Sequence, residues 1–441
     1  MPGADQIDTH QKALSINLDA HIFGTFAEIG AGQEVARWFL RVGAASGTVA
    51  KTISAYDKEV SDDLYGSGTR YVSKQRLEAM LNNEWKQLLS QLQESRGATT
   101  RFFSFVDTVS ARNFSGTNEC HGWIGLRFLQ KPRGVPSDVI LHVNLRDPSN
   151  IQQQEAVGIL GVNLIYAACH QLQTSEEFMA SVFEELSLER VEIDLIELSG
   201  PAFEGWDRQK IHASLVADGY AEAVVFPGDG KLAAPTELLY KKAVVLVPGT
   251  IEDIEALHGK LMQTALKDLP AEDAADSKGA IGLFCISFVP LGAESARLPV
   301  ELIVHRAEEL QKLGSGVMVF RAKELYTMSA YVNRFTKSRV HFAIGLSLLV
   351  RALQDSYKDL AGSLLEGISR LFMQNVRLSV YPMPAGALED WLKATATGNW
   401  RWKSTDGIVY ADDLHPAEPL DHLYRYLLGM KFILPVRSAS P

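Results

Sequence analysis

The chain has 441 residues, 46% hydrophobic and 22% charged, an ordinary globular balance on a length beyond what one hydrophobic core sustains. Forty-three Lys and Arg against fifty-three Asp and Glu leave a net charge of -10 with no run of five like charges, which disfavours nucleic acid or an anionic membrane surface as partner. Three widely spaced cysteines, Cys120, Cys169 and Cys285, suit neither a disulfide framework nor a four-thiolate zinc site; with a polar N-terminus and no apolar run of eighteen residues, they point to a soluble cytoplasmic protein.

Residues 1–14 read as a flexible tail. Leu18 to Ile29 is apolar enough for a strand, Gly30-Ala31-Gly32 breaks it, and Gln33 to Leu40 has helical character. A second apolar run, Thr48 to Tyr56, ends at Asp57. Ser73 is placed to cap a helix from Lys74 to Ser95, in which Leu77, Met80, Leu81, Trp85, Leu88, Leu89 and Leu92 keep a helical period. Asp138 to Leu145 alternates as a strand does. The turn Asp147-Pro148-Ser149-Asn150 then leads into Ile151 to His170, a helix whose middle is apolar nearly all round. Glu176 to Leu188 forms a further amphipathic helix.

Beyond Glu189 short apolar runs alternate with helical segments. Val191–Leu198, Glu222–Phe226, Ala243–Val247, Ile281–Val289, Gly316–Phe320, Val340–Ile344 and Val376–Tyr381 are the expected strands. The fold class is therefore α/β, alternating β-α units on a mostly parallel sheet, with a mixed α+β N-terminal portion; runs this short favour an open doubly wound sheet over a barrel. The expected partition is an N-terminal domain over 15–188 and a C-terminal domain over 189–441, the latter closing with a hairpin at Asp406-Gly407 and a helix from Pro419 to Phe432. Ala271 to Lys278, acidic and small, reads as an exposed loop.

Two glycine-rich turns come close to nucleotide motifs. Gly30 to Ala36 gives GxGxxxA, one residue longer than the dinucleotide fingerprint; Asp57 closes the next strand where an acidic residue would meet a ribose, but Glu34 would repel a phosphate at the helix start. In Gly43 to Thr52 the lysine, Lys51, stands four residues after Gly47 instead of directly behind it, which excludes a Walker loop and leaves Lys51 as an anion ligand.

The densest set of reactive side chains lies between two apolar runs, Phe102 to Arg127. Arg112, Glu119, Cys120 and His121 are the candidate catalytic residues: a thiolate needs an imidazole or cation nearby, and Glu119 and His121 would share one face of a strand with Cys120 on the other. If the strands after Ile124 and Val139 are neighbours, His142 approaches His121. Asn113, His142 and Arg146 then line a ligand site beside the helix start at Asn150, together with Lys51 and Asp57. A two-histidine metal set with Glu119 or Asp107 lacks HExxH or HxH spacing, so no metal is expected, and the sequence leaves the cofactor unknown.

The segments VGAASGTVAKTISAYD, ARNFSGTNECHGWIGLRF and QQQEAVGILGVNLIYAA resemble an uncharacterised bacterial family, frequent in cyanobacteria, whose automatic labels include nicotinate-nucleotide adenylyltransferase and TonB-dependent receptor. The first label requires a GxFxPxHxGH-like turn and the second a signal peptide with many transmembrane strands, and this sequence has neither. The resemblance implies a cytosolic protein and transfers no residue roles. Two functions fit these features, and whether the chain is an enzyme stays open. One is an enzyme or binding protein for a small anionic, nucleotide-like ligand at the Phe102–Arg127 segment. The other is a non-catalytic homo-oligomeric assembly protein built on the apolar helix around Ile159 to Ala168.

Overall fold

The computed structural model describes residues 7–68, 70–249, 256–270, 273, 278–289, 298–322, 324–354, 357, 360–373, 375–395, 400–404 and 406–437. They form two compact units, Met1–Ala221 and Glu222–Pro441.

The first unit opens with a helix where the composition reads as a tail. Helix α1 (Thr9–Leu18) starts with a capping box, in which Asp8 accepts from the Gln11 amide and the Gln11 side chain accepts from the Asp8 amide. Its Lys12 is 1% exposed, and Nζ reaches Asn163 Oδ1 at 2.7 Å and Glu184 at 2.5 Å. A polar residue buried this way is invisible to a search for apolar periodicity, which is why the expected tail over 1–14 is replaced by an anchored helix from Thr9.

Strand β1 (Ile22–Ile29), helix α2 (Glu34–Arg41) and strand β2 (Val49–Ile53) follow, then helices α3 (Lys58–Tyr65) and α4 (Lys74–Arg96). Strands β3 (Arg101–Ser110), β4 (His121–Phe128) and β5 (Ser137–Leu145) form a meander. Helices α5 (Asn150–His170) and α6 (Ser175–Val182), strand β6 (Val191–Ser199) and helix α7 (Arg208–Ala217) complete the unit. The sheet order is β2-β1-β3-β4-β5-β6, with β1 parallel to β2 and β3 and the remaining pairs antiparallel. Because β6 pairs with β5 from Val191 to Ser199, the first unit runs to Ala221, past the change of texture at Glu189.

Alternate residues on each strand face opposite sides of this sheet. Helix α4 covers one side, where its Leu77 lies over Gly125. Helices α2 and α5 cover the other: Val35 and Phe105 close on Gly161, and Phe26, Phe39, Phe103 and Phe105 form the aromatic core there, with centroids 5.1 to 6.2 Å from Phe26. The apolar middle of α5 is buried within this unit, Leu160, Val162, Leu164 and Ile165 being fully covered.

The second unit carries a seven-stranded sheet. Its strands are β7 (Ala223–Phe226), β8 (Ala243–Pro248), β9 (Ala280–Ser287), β10 (Gly316–Phe320), β11 (Val340–Gly345), β12 (Val376–Tyr381) and, after short strands β13 (Met383–Pro384), β14 (Trp400–Trp402), β15 (Ile408–Val409) and β16 (Leu414–Pro416), the last strand β17 (Ile433–Pro435). The order β17-β12-β11-β8-β9-β10-β7 is parallel except for β7, and helices alternate with the strands. Counted from β8, six strands run 3-2-1-4-5-6, the open doubly wound arrangement, with the reversal between β8 and β11.

Two local expectations change here. Asp406-Gly407 does not close one hairpin: β14 pairs with β16 while β15 pairs with β13, because Ala385 to Ala394 forms an intervening helix. In the acidic segment, residues 271–272 and 274–277 lie outside the described residues, but Asp273 is buried, held by Arg339 at 3.1 Å, His341 at 3.0 Å and Arg377 at 2.9 Å. Two arginines and a histidine draw this carboxylate out of solvent.

Candidate functional site

Four strands of the first sheet bring one polar row together. Ser110 of β3 stands opposite His121 of β4, His121 opposite Asn144 of β5, and Asn144 opposite Glu192 of β6, all on the α4 side. One step inward, His142 pairs with Trp123, whose ring meets the imidazole edge-on at 4.8 Å. The β5/β6 register shifts at His142, so Asp194 and Leu195 together oppose that one residue. Such a bulge re-aims a side chain. Here it turns Asp194 onto His142.

The result is a continuous buried chain. Asp194 Oδ1 lies 2.6 Å from His142 Nδ1, and Asn144 Nδ2 donates to Asp194 Oδ2 at 2.7 Å. His142 Nε2 lies 3.1 Å from His121 Nδ1. His142 and Asp194 are fully buried and His121 is 9% exposed. The carboxylate accepts from His142 Nδ1–H; with His142 neutral, its Nε2 accepts from His121 Nδ1–H, and the lone pair of His121 Nε2 is the free end of the chain. Burial, reinforced by His142 and Arg70 against the opposing pull of Asp194, lowers His121 to about 4, so the ring is neutral at physiological pH.

The loop between β3 and β4 is held by its own side chains. Asn113 Oδ1 accepts from the Thr117 amide at 3.1 Å, the Asn113 amide donates to Asn118 Oδ1 at 2.8 Å, and Asn118 Nδ2 donates to Ser110 Oγ at 3.0 Å and to the Ala111 carbonyl at 2.8 Å. Arg112 binds the start of α5 through its backbone, its amide donating to Gln153 at 2.8 Å and its carbonyl accepting from Asn150 at 2.8 Å. Its guanidinium lies against Gly116. Glu119 is exposed.

The candidate residues thus separate. His121 and His142 meet, as pairing of their strands requires, and Arg146, just past the end of β5, lies 3.8 Å from the buried Glu192. Cys120 does not join His121: it precedes β4, which begins at His121, and its Sγ contacts the Asn118 carbonyl at 3.7 Å. Lys51 and Asp57 are engaged elsewhere. Lys51, on the edge strand β2, holds the buried Glu84 at 2.6 Å and Gln87 at 2.9 Å, while Asp57 caps α3 by accepting from the amides of Glu59 and Val60. Asp194 and Asn144 are the site residues that sequence reasoning missed; the signal was present in acids at alternate positions, Glu192 and Asp194, on an otherwise apolar strand.

The opposite side of the sheet carries a second buried polar pair. Glu28 on β1 stands beside Asp107 on β3. Glu28 accepts from the amides of Val35 and Ala36, both at 2.9 Å, so the helix start after Gly30-Ala31-Gly32 is already capped by a carboxyl group of the chain itself. Gly30 serves close packing: at φ 104° a Cβ would stand 1.8 Å from the Val109 carbonyl oxygen. The dinucleotide reading of this turn is thereby replaced by an internal cap. Burial raises Glu28 to about 7, against the pull of those two amides. Burial, with Glu28 adding to it, raises Asp107 well above the carboxylate range; its Oδ1 accepts from the Ile29 amide at 3.1 Å and its Oδ2 has no hydrogen-bond partner among the described residues. An open groove of about 410 Å³ between α2 and α5, lined by Trp38, Arg37, Arg41 and Ile151, lies on this side as well, away from His121.

Among the described residues no three His, Cys, Asp or Glu side chains are grouped to hold a metal ion, and no helix is long and apolar enough to cross a membrane. No protein-family model and no curated protein matches the chain. Solved structures show a weak likeness. A competence/damage-inducible protein, CihA, from Agrobacterium tumefaciens is 17% identical with a TM-score of 0.27, over 37% of this chain and 98% of that one. A competence-damaged protein (CinA) superfamily member from Enterobacter cloacae is 12% identical with a TM-score of 0.28, over 38% and 95%. A competence or damage-inducible protein from Enterobacter asburiae is 14% identical with a TM-score of 0.27, over 37% and 99%. Likeness at this level assigns neither an activity nor a ligand.

Proposed function

We propose that the first unit is an enzyme that acts on a small anionic substrate, with His121 as the group that takes and returns a proton. The observation that carries this reading is the one-directional chain from Asp194 through His142 to His121. A base needs a fixed tautomer, an orienting partner and a neutral ring at working pH, and all three follow from that chain. Arg146 at the end of β5, and Arg70 close enough to lower the His121 titration, supply positive potential for an anionic group. Loop 111–119, tied to the start of α5, forms the wall next to it. A cytoplasmic setting is part of this proposal, since Cys120, Cys169 and Cys285 are all unpaired thiols.

The test is a screen of carboxylate- and phosphate-bearing compounds by thermal shift, followed by turnover assays on those that bind. Arg146→Ala is expected to remove most of the ligand-induced shift. His121→Asn is expected to bind the same ligand with turnover lowered at least a hundredfold, the usual worth of a positioned base. Full turnover in His121→Asn sinks the proposal.

A further inference from the structure

Resting on the reading of His121 as a base, we infer that Ser110 is the nucleophile it serves, and that the substrates are acyl esters or amides carrying an anionic group. Ser110 is the directly opposed cross-strand partner of His121 on the same side of the sheet, an arrangement that sets the two Cβ atoms roughly 5 Å apart. The hydroxyl is thus within one side-chain reach of the imidazole. Asn118 Nδ2 donates to Ser110 Oγ at 3.0 Å, which occupies a lone pair and orients the oxygen, while no acceptor among the described residues takes the hydroxyl proton. His121, for its part, presents the unprotonated Nε2 because Nδ1 is committed to His142. A donor without an acceptor among the described residues thus stands at the position directly opposed to a fixed acceptor on the next strand. Ser110 is half-buried, so it meets solvent, and it closes β3 at the edge of the polar loop where a substrate enters.

The step balances with water as co-reactant. Ser110 Oγ forms a bond to the acyl carbon as its proton passes to His121 Nε2; the imidazolium is stabilised through His142 by Asp194. Collapse of the tetrahedral intermediate breaks the bond to the leaving alcohol or amine, which takes the proton from Nε2. Water then attacks the acyl-serine ester, gives its proton to Nε2, and the returning proton restores the Ser110 hydroxyl as the carboxylic acid departs. Arg146 and Arg70 select substrates with a carboxylate or phosphate near the acyl group.

The experiment uses the full chain with two probes, a fluorophosphonate and p-nitrophenyl esters bearing a free carboxylate. A single phosphonyl adduct on the peptide containing Ser110 is expected, abolished in Ser110→Ala, with labelling at least a hundredfold slower in His121→Asn. His142→Gln is the second variant in case His121→Asn fails to fold, and is expected to slow labelling about tenfold with Ser110 still the labelled residue; an unchanged rate overturns the coupling of Ser110 to the chain. Ester hydrolysis that survives Ser110→Ala but is lost in His121→Asn overturns the nucleophile and leaves His121 as a base acting on water. Hydrolysis that survives both overturns this inference and the proposed function together. A wild type that neither labels at Ser110 nor cleaves any of the esters overturns the inference.

Discussion

The two sides of the first sheet bury titratable groups in equal depth and to opposite effect. On the α4 side, Asp194, His142 and His121 are joined end to end, and the last member reaches the surface. On the α2/α5 side, Glu28 and Asp107 are closed in: one carboxyl spends both oxygens on helix amides, and the other keeps an oxygen without a partner. The difference lies in where the hydrogen bonds lead. A chain that ends in a lone pair near solvent can exchange protons with a substrate, whereas a pair that ends inside the core can only charge or discharge the fold.

The same contrast fixes opposite pH slopes. His121 has a folded-state value of about 4 against 6.5 for a free histidine, so the unfolded chain binds the extra proton and stability falls as pH drops from 6.5 toward 4. Glu28 has a folded-state value of about 7 against 4.5, so its contribution is fully present below 4.5 and is lost as pH rises through 7. Between those limits the two sides offset one another.

The largest effect is expected from Asp194→Ala, which leaves the buried Nδ1–H of His142 unpaired and cuts the chain; the loss should be about 3 kcal/mol in urea unfolding, with Asp194→Asn costing less because its carbonyl still accepts. A cost below about 1 kcal/mol would mean the chain is slack. Side-chain NMR of the histidines sharpens the same point, the His121 ring being expected to stay neutral and Nδ1-protonated down to about pH 4. A midpoint above 6 would break the contrast.

Next in size is Asp107→Asn. It keeps the acceptor for the Ile29 amide and removes the buried acid, so the variant should be more stable than wild type at pH 8, with the advantage shrinking toward pH 4. With the Asp107 share of the opposing slope gone, the acid lability set by His121 should show more plainly in thermal melts between pH 4 and 6.5. Equal pH profiles for variant and wild type would show that the pair carries no linkage. The smallest effect belongs to Asp57→Ala, which removes the cap of α3 at roughly 1 kcal/mol and should leave any ligand response intact. A lost ligand response there would return Asp57 to the site.

Much of the fold was legible because the strands are apolar runs and the long helices keep their period: β8, β10, β11 and β12 fall within a residue of their expected ends. What escaped was carried by buried polar residues and by pairing. Helix α1 hides behind Lys12 and Asn17, both buried, which spoil its amphipathic pattern. Strand β6 looks like the opening of a second domain because nothing within VEIDLIEL names its antiparallel neighbour. The contact of His121 with His142 could be anticipated from adjacent strands. The acids of β6 are visible in the sequence, but the pairing of Asp194 with His142 is not, since its aim depends on a register shift far along the chain. The adjacency of Cys120 and His121 points the other way, because the strand begins at His121 and the Cys120 thiol contacts the Asn118 carbonyl in the loop before it.

That register shift bears on synthesis as well. β5 is complete at Leu145, yet its outer edge stays unpaired through the whole of α5 and α6 until β6 has left the ribosome. For that interval the nascent chain presents an open strand edge, the feature that invites pairing with other chains, with His142 lacking its carboxylate. Arrival of the segment around Asp194 both seals the edge and sets the proton pattern. A chain stopped at Leu188 would therefore be prone to association and would lack the orienting end of its histidine pair.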